Sequence, residues 1–219
     1  MTSDDPRATP AYRDDRAHVF HSWSAQATLD PLVITGGEGA WIWDESGNRY
    51  LDFSSQLMNV NIGHQHPKLI AAIQEQAGRL ATIAPSHATP ARSEAARLIA
   101  ELAPGDLDMV FFTNGGAEAN ENAIRLAKLH TGRHKVLAAY RSYHGATGGS
   151  IALTGDPRRW PNEPAMPGIV HFWGPYPYRS AFHATSEAEE TDRAFAHLAD
   201  TIMVEGPQTI AAVILEPVV

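Results

Sequence analysis

The residues whose types and spacing best suit chemistry lie where a short apolar run passes through two glycines into a helix. The run Met-Val-Phe-Phe at 109–112 has the composition of a buried strand, and Thr-Asn-Gly-Gly follows at 113–116. An Ala-rich helical pattern starts directly after the glycines. The first backbone N–H groups of a helix have no partner inside it, and they attract anions, phosphate above all. We therefore predict a phosphate-binding site at Gly115 and Gly116.

The glycine turn by itself leaves a second interpretation open, because an ordinary connection between a strand and a helix also uses glycine. No Gly-Lys-Ser/Thr follows the glycines, so the turn is not a Walker loop. The dinucleotide-binding pattern Gly-x-Gly-x-x-Gly is absent as well. The kind of phosphate must be inferred from neighbouring motifs.

Two more predicted strands end in residues that suit a ligand site. The apolar run at 135–140 leads to Tyr143 and His144, and the run at 210–215 leads to Glu216. Strands that alternate with helices predict an α/β fold with a largely parallel sheet, in which the carboxyl ends of the strands meet at one edge. A phosphate site, an aromatic ring and a carboxylate would then lie together. Pyridoxal phosphate, with one phosphate and one flat ring, fits this combination better than a dinucleotide.

Apolar periodicity and turn residues predict the remaining elements. The predicted helices cover 67–80, 91–102, the stretch from Gly116 to about 130, 146–153 and 186–205, and a β-hairpin covers 41–53. His64 and His66 stand two residues apart, which raises the question of a metal site. No third ligand lies nearby in the sequence and Pro67 opens a helix, so we predict no metal.

Composition narrows the class of protein. The chain has 219 residues, 43% of them hydrophobic, which is enough to build a core. Its net charge is −8, from 17 basic and 25 acidic residues, and the sequence contains no run of basic residues. Both features argue against nucleic-acid and anionic-membrane partners. No apolar run approaches the roughly 20 residues of a membrane span, the N-terminus lacks the apolar part of a signal peptide, and there is no cysteine. We expect a soluble, cytoplasmic protein.

With these motifs the chain resembles the N-terminal half of a class III, ω-amino-acid type, pyridoxal-phosphate aminotransferase of the fold type I superfamily. Five motifs carry the resemblance, and they occur in the family's order along nearly the whole chain. They are Trp-Ile-Trp-Asp through Gly-Asn-Arg-Tyr-Leu-Asp at 41–52, Gly-His-Gln-His-Pro at 63–67, Phe-Thr-Asn-Gly-Gly-Ala-Glu-Ala at 112–119, Tyr-His-Gly at 143–145 and Glu-Pro at 216–217.

The resemblance implies roles for individual residues. Gly116 and Ala117 would donate backbone N–H groups to the cofactor phosphate, and Tyr143 would lie against one face of the pyridine ring. Glu216 would lie near the ring substituents, where many relatives pair it with an arginine that otherwise binds a substrate carboxylate. His144 would support the turn rather than transfer protons. A core tyrosine and an incidental strand-end acid remain the alternatives for Tyr143 and Glu216.

The chain departs from the family pattern in two ways. Many relatives have serine where this chain has Gly115 or Ala117, so hydroxyl bonds to the phosphate would be missing, each worth roughly 1 kcal/mol. The aspartate that pairs with the pyridine nitrogen and the lysine that forms the Schiff base lie further on in the family than Val219. The lysines present are Lys68, Lys128 and Lys135, none in the right context. We expect no catalytic residue within this chain, and we interpret it as half of an active site.

The resemblance implies the function. We expect the intact protein to move an amino group from a primary amine or ω-amino acid to a keto acid such as pyruvate or 2-oxoglutarate. Residues 18–26 resemble taurine–pyruvate and other ω-amine–pyruvate aminotransferases, which by analogy would place Trp23 and Met58 in the substrate pocket. Two alternatives stay open: a non-catalytic remnant that binds pyridoxal phosphate without the lysine, and another α/β protein that binds a phosphate ligand.

The same resemblance implies how the chain is divided into domains. We predict a mobile arm over residues 1–16, an N-terminal segment with the hairpin over 17–60 and the first part of the large cofactor-binding domain over 61–219. We expect a homodimer, as in relatives.

Overall fold

The chain divides into two compact units in a computed structural model that describes Arg7 and residues 9–216. Unit 1 covers Met1–Thr89 and unit 2 covers Pro90–Val219. The division falls after Thr89, whereas the sequence predicts a boundary near residue 60. No helix of the described residues is long and apolar enough to cross a membrane.

The described residues of unit 1 form a small antiparallel sheet and two helices. Its elements are α1 (Pro10–His18), β1 (Ile34–Glu38), β2 (Trp41–Asp44), β3 (Arg49–Leu51), a short helical turn at Ser55–Met58 and α2 (Pro67–Arg79). The strands lie in the order β1-β2-β3, so the hairpin at 41–53 is confirmed. Its turn forms because the Asp44 carboxylate accepts hydrogen bonds from the Asn48 backbone and side chain at 2.9 Å and from the Tyr50 hydroxyl at 2.8 Å.

Helix α1 occupies part of the segment predicted as a mobile arm. Thr9 caps it by accepting from the Tyr12 backbone N–H at 3.2 Å, and Pro10 opens it, as a first-turn proline can. The Tyr12 hydroxyl donates to Asp30 at 2.8 Å. The arm thus contains a helix that the sequence analysis missed, while residues 1–6 and 8 lie outside the described part of the chain. Mobility of the arm stays a prediction.

Unit 2 contains the parallel sheet. Its elements are α3 (Pro90–Leu102), α4 (Gly116–Thr131), β4 (Lys135–Ala139), α5 (Gly148–Leu153), β5 (Ile169–Phe172), α6 (Glu187–Glu205) and β6 (Ile210–Ile214), with short 3-10 turns at 157–162, 177–179 and 207–209. The strand order is β5-β4-β6, and β4 pairs with both neighbours in parallel. The predicted α/β fold with a parallel sheet is confirmed.

The core of unit 2 lies on both faces of β4. Val136, Leu137 and Ala138 are at most 1% exposed. Because side chains alternate along a strand, Val136 and Ala138 pack with Ile124 and Leu153 of the helices on one face. Leu137 packs on the other face with Phe172 and Ile210, and side chains of α6 cover that cluster. The strand is therefore the fixed element from which the loop with Tyr143 and His144 emerges.

The predicted buried strand at 109–112 is wrong. The structure has no strand there, and Met109, Phe111 and Phe112 are 90%, 67% and 45% exposed. A strand needs a hydrogen-bonded neighbour, and no strand of the described residues pairs with this run. The helix that follows is confirmed: α4 begins at Gly116 and ends at Thr131, where Gly132 takes a left-handed conformation with φ 68°.

Candidate functional site

The start of α4 has the properties of an anion site. Gly115 precedes the helix in an extended conformation (φ −175°, ψ 168°), and no side chain caps the helix. A Cβ added at Gly115 or Gly116 would have nothing within 4 Å, so the space before the helix is open. The N–H groups of Gly116 and Ala117 belong to the first turn and have no intrahelical acceptor. Helix geometry and open space therefore agree with the predicted phosphate site.

The loop that leads into α4 is fixed by the helix itself. Asn114 donates its backbone N–H and its side-chain amide to the Glu118 carboxylate at 2.9 and 3.0 Å. The Thr113 hydroxyl donates to the Gly115 carbonyl at 3.0 Å. These bonds order the loop without using the first N–H groups of the helix, which stay directed to the open side.

The loop after β4 lies against the start of α4. Asn120 of α4 donates its amide to the His144 carbonyl at 2.7 Å. Gly145, at φ +127°, approaches so closely that an added Cβ would lie 2.6 Å from the Ala117 Cβ. Only glycine fits such a position, on both conformational and steric grounds. The structure thus brings Tyr143 and His144 next to the helix start.

Glu216 joins the same cluster from the end of β6. Its Oε1 accepts the Tyr143 backbone N–H at 3.1 Å and lies 4.0 Å from His144 Nδ1. The carboxylate therefore orders the loop that carries the ring. Pro217, the second residue of the Glu-Pro motif, lies outside the described residues.

His144 is a buried support of this loop. Its side chain is 4% exposed, and its backbone N–H donates to the Thr154 hydroxyl at 3.1 Å. Burial lowers the pKa of His144, and the Glu216 carboxylate offsets part of that effect. Its Nε2 has no hydrogen-bond partner among the described residues. The buried ring suits a supporting role, which stays a prediction.

Sequence reasoning missed Arg158, whose guanidinium carbon lies 3.8 Å from the centre of the Tyr143 ring. The guanidinium also bonds the Asp156 carboxylate through Nε at 2.9 Å. Hydrogen bonding to Asp156 raises the pKa of Arg158, with smaller contributions from Tyr143 and Glu216. One face of the Tyr143 ring is therefore covered by a cation. The sequence signal was the charge of Asp156-Pro157-Arg158 directly after the Gly155 turn.

A cleft of about 490 Å³ opens at the carboxyl edge of the sheet. It is lined by Ala139, Tyr140, Arg141, Ser142, Gly174, Pro175, Tyr176, Leu215 and Glu216. Arg141, at φ 63°, places its guanidinium carbon 5.0 Å from the Trp173 ring centre and 4.3 Å from that of Tyr176. Sequence reasoning missed this residue too, although the aromatic-rich stretch at 173–178 could have indicated partners for a cation.

Of the described lysines, the two in unit 2 lie away from the site. Lys135 starts β4 at the opposite end of the strand, where its ammonium donates to the Glu205 carbonyl and carboxylate, both at 2.7 Å. Lys128 lies toward the end of α4, with Nζ 3.7 Å from Met166 Sδ. Lys68 is exposed in α2 of unit 1. That no lysine of this chain holds the cofactor stays a prediction.

The predicted substrate-pocket residues both belong to unit 1. Trp23 and Met58 are 61% and 76% exposed, and both have positive φ, 57° and 65°. Their place in a substrate pocket stays a prediction.

Comparison with known proteins decides the family. Residues 23–219 match the family model described as aminotransferase class-III. The chain belongs to the class-III aminotransferases. A probable aminotransferase of Mycobacterium tuberculosis is 38% identical, and the match covers 98% of this chain and 47% of that protein. The chain spans about half the length of the curated relatives it matches.

Solved class-III aminotransferases share the fold. The taurine:2-oxoglutarate aminotransferase of Bifidobacterium kashiwanohense, in complex with PLP and glutamate, superposes with a TM-score of 0.89 at 38% identity, over 94% of this chain and 47% of that one. An (S)-enantioselective omega-transaminase of Thermomicrobium roseum gives 0.89 at 40% identity, over 94% and 48%. An omega transaminase of Pseudomonas jessenii, in complex with PMP, gives 0.87 at 31%, over 94% and 48%. The fold is that of fold type I transaminases, and pyridoxal phosphate is the cofactor of this family.

The residues of this class-III chain fit that cofactor. The open, uncapped start of α4 suits its phosphate, and the loop pressed against α4 presents the Tyr143 ring and the Glu216 carboxylate at the same edge. The assignment of single residues to the cofactor stays a proposal.

Proposed function

We propose that the protein carrying this chain is a pyridoxal-phosphate-dependent transaminase that moves an amino group from a primary amine or ω-amino acid to a keto acid. The observation that carries the proposal is the juxtaposition of an open helix start with the loop 143–145, held by the Asn120 bond to His144 at 2.7 Å. Membership of the class-III family supports it. When bound, pyridoxal phosphate supplies an electron sink for the bonds at the amine-bearing carbon.

The residues of this chain bind and orient the cofactor. Gly116 and Ala117 donate backbone N–H groups to the phosphate, and Gly115 keeps the approach open. Tyr143 supports the pyridine ring, and stacking of this kind is worth about 0.5–1.5 kcal/mol beyond area burial. Glu216 and His144 hold the ring-bearing loop in place. Lys128 and Lys135, the lysines of unit 2, lie away from the site, and we propose that the 219-residue chain alone is inactive.

Substrate choice belongs to the same proposal. We propose pyruvate or 2-oxoglutarate as acceptor, and Trp23 and Met58 as parts of the donor pocket. Support comes from the resemblance of residues 18–26 to ω-amine aminotransferases and from the taurine:2-oxoglutarate aminotransferase among the structural neighbours. We also propose that the intact protein is a cytoplasmic homodimer without nucleic-acid or membrane partners.

A second candidate function is binding of pyridoxal phosphate without amino transfer. The open helix start and the Tyr143 ring would serve this function equally well. Amino transfer from an ω-amino acid to pyruvate or 2-oxoglutarate by the intact protein separates the two functions. Cofactor binding without any transfer would support the non-catalytic function.

The phosphate assignment has its own test. Gly116→Asp should abolish binding of pyridoxal phosphate by the intact protein, because it places a carboxylate beside a phosphate dianion. Gly116→Ala is the matched control, since an added Cβ has open space there. Absorbance titration with the cofactor measures both. Equal affinity of Gly116→Asp and the unchanged protein would remove the assignment.

Tyr143 is tested in the same titration. Tyr143→Ala should weaken cofactor retention, whereas Tyr143→Phe keeps the ring and should change it little. Small and equal effects of both substitutions would mean that this tyrosine is structural.

A further inference from the structure

Unit 1 contains four successive residues in the left-handed region, which we name the left-handed turn. They are Ser55, Gln56, Leu57 and Met58, with φ of 48°, 50°, 57° and 65°. None is glycine, and each is strained because its Cβ lies too close to the following carbonyl. Strain of this kind persists only where the surroundings hold it, and it concentrates at functional sites.

The Asp52 side chain holds the turn from its N-terminal side. Its Oδ1 accepts the Gln56 backbone N–H at 3.3 Å. Its Oδ2 lies 2.7 Å from His64 Nε2, and only 4% of the Asp52 side chain and 18% of the His64 side chain are exposed. One carboxylate therefore joins the left-handed turn to a histidine 12 residues further on.

His64 packs closely against three glycines, which fix its position. The Gly39 N–H donates to the His64 carbonyl at 3.1 Å, and the His64 N–H donates to the Gly39 carbonyl at 2.8 Å. A Cβ at Gly37 would lie 3.0 Å from the His64 ring, and one at Gly63, where φ is +87°, would lie 3.2 Å from Gly39. The ring thus rests on a glycine surface of the β1–β2 hairpin, which makes it a fixed anchor for Asp52.

The turn presents side chains to solvent rather than to a core. Leu57 and Met58 are 80% and 76% exposed, so packing does not hold them where they are. A change from the left-handed to the right-handed region would redirect both side chains, because it reverses the local sense of the chain. The direction of Met58 therefore depends on whatever keeps the turn left-handed.

We propose that Asp52 and His64 are positioning residues for the amine donor: together they hold the left-handed turn, and the turn sets the direction of Met58 in the donor pocket. The proposal rests on the proposed function, which places Met58 in that pocket. Neither residue touches the substrate. Loss of the pair changes which donors are accepted more than it changes the rate with the best one.

The test compares two buried aspartates in the intact protein. Asp52→Ala removes the acceptor for Gln56 and the partner of His64. Asp44→Ala is the matched control, because Asp44 has a comparable hydrogen-bond network in the hairpin turn and no bond to the left-handed turn. Hydrogen exchange of the peptide covering 55–60 reports on the turn, and kcat/KM for ω-amino acids of three, four and five carbons reports on selection.

Asp52→Ala should speed exchange in that peptide by about tenfold or more and change the ratio of kcat/KM between donors by about fivefold or more. Asp44→Ala should leave both within about twofold, whatever it does to the melting temperature. His64→Phe should act like Asp52→Ala, and Asp52→Asn, which keeps an acceptor for Gln56, should restore most of the exchange protection.

A double variant separates the effect of backbone strain from a general loosening of the segment. Gln56→Gly in the Asp52→Ala background should recover the slow exchange and the donor ratios, since glycine enters the left-handed region without steric cost. Unchanged exchange in Asp52→Ala would overturn the holding role. Faster exchange with unchanged donor ratios would overturn the selection role. If the unchanged protein transfers no amino group at all, the proposed function fails and selection fails with it, while exchange still decides whether the pair holds the turn.

Discussion

Two short apolar runs in unit 2 lead into the candidate site, and they differ sharply in burial. Strand β4 precedes the loop with Tyr143, and its Leu137 is fully buried between two parallel neighbours. Residues 109–112 precede the helix start, and Phe111 is 67% exposed with no pairing strand in the described part of the chain. Apolar composition alone therefore does not make a strand, because strand pairing is what removes its backbone groups from water.

The largest expected difference between the two runs is in how much their side chains contribute to the free energy of unfolding. Leu137→Ala should lower the free energy of unfolding of unit 2 by about 2–5 kcal/mol, since it opens a cavity in a fully packed position. Phe111→Ala in the 219-residue chain should change it by less than about 0.5 kcal/mol, as expected of an exposed side chain. Urea denaturation measures both. A loss of similar size in Phe111→Ala would show that the run at 109–112 is packed after all.

A smaller difference is expected at the glycines beside each run. Gly155→Ala should cost about 1–3 kcal/mol, because its Cβ would lie 2.2 Å from the Ala139 carbonyl and 2.6 Å from the Tyr140 Cα. Gly115→Ala, in extended backbone and open space, should cost far less. Thermal melting compares the two variants. Equal melting temperatures would mean that the end of β4 can shift to make room.

The buried histidine of the loop after β4 predicts a pH dependence that the other run lacks. Burial lowers the pKa of His144, so the folded protein binds this proton less readily than the unfolded chain, whose histidine pKa is about 6.5. The contribution of His144 to the free energy of unfolding is therefore fully present above about pH 6.5, and it falls as the pH drops through that value toward the lowered pKa.

His144→Gln should flatten this dependence by an amount smaller than the glycine effect. Urea midpoints at about pH 7.5 and about pH 5.5 measure it. His130→Gln, at the exposed end of α4, is the control. An unchanged slope in His144→Gln would assign the acid sensitivity of unit 2 to other groups, of which His171, also with a pKa lowered by burial, is the first to test.

The smallest effect is expected at the contact that orders the loop before α4. Glu118→Ala removes the acceptor for both Asn114 donors and should cost about 0.5–1 kcal/mol. Glu118→Gln keeps an acceptor and should cost less. Melting temperatures of the two variants decide this, and equal losses in both would mean that the charge near the helix start matters more than the hydrogen bonds.

Much of the fold could be predicted from sequence because local signals set it. The start of α4 at Gly116 and its end at Gly132 follow from turn chemistry, and the edge shared by Tyr143 and Glu216 follows from parallel topology. The strand at 109–112 was wrong because pairing depends on residues far along the chain. Arg158 was missed because its contact with Tyr143 crosses two loops.

The left-handed turn was missed for a different reason. Left-handed backbone is expected at glycine, and Ser55–Met58 has none. Its support comes from Asp52 and His64, and in the sequence His64 raises only the question of a metal site. In the structure the His64 ring is instead bonded to Asp52 at 2.7 Å.

Helix α4 has a mechanical consequence. The same first turns carry the open N–H groups at Gly116 and, one turn later, Asn120, which grips the His144 carbonyl at 2.7 Å. The N–H groups of the proposed anion site and the residue that holds the loop 143–145 therefore belong to one rigid helix. A shift of α4 would therefore move the helix start and the His144 carbonyl together.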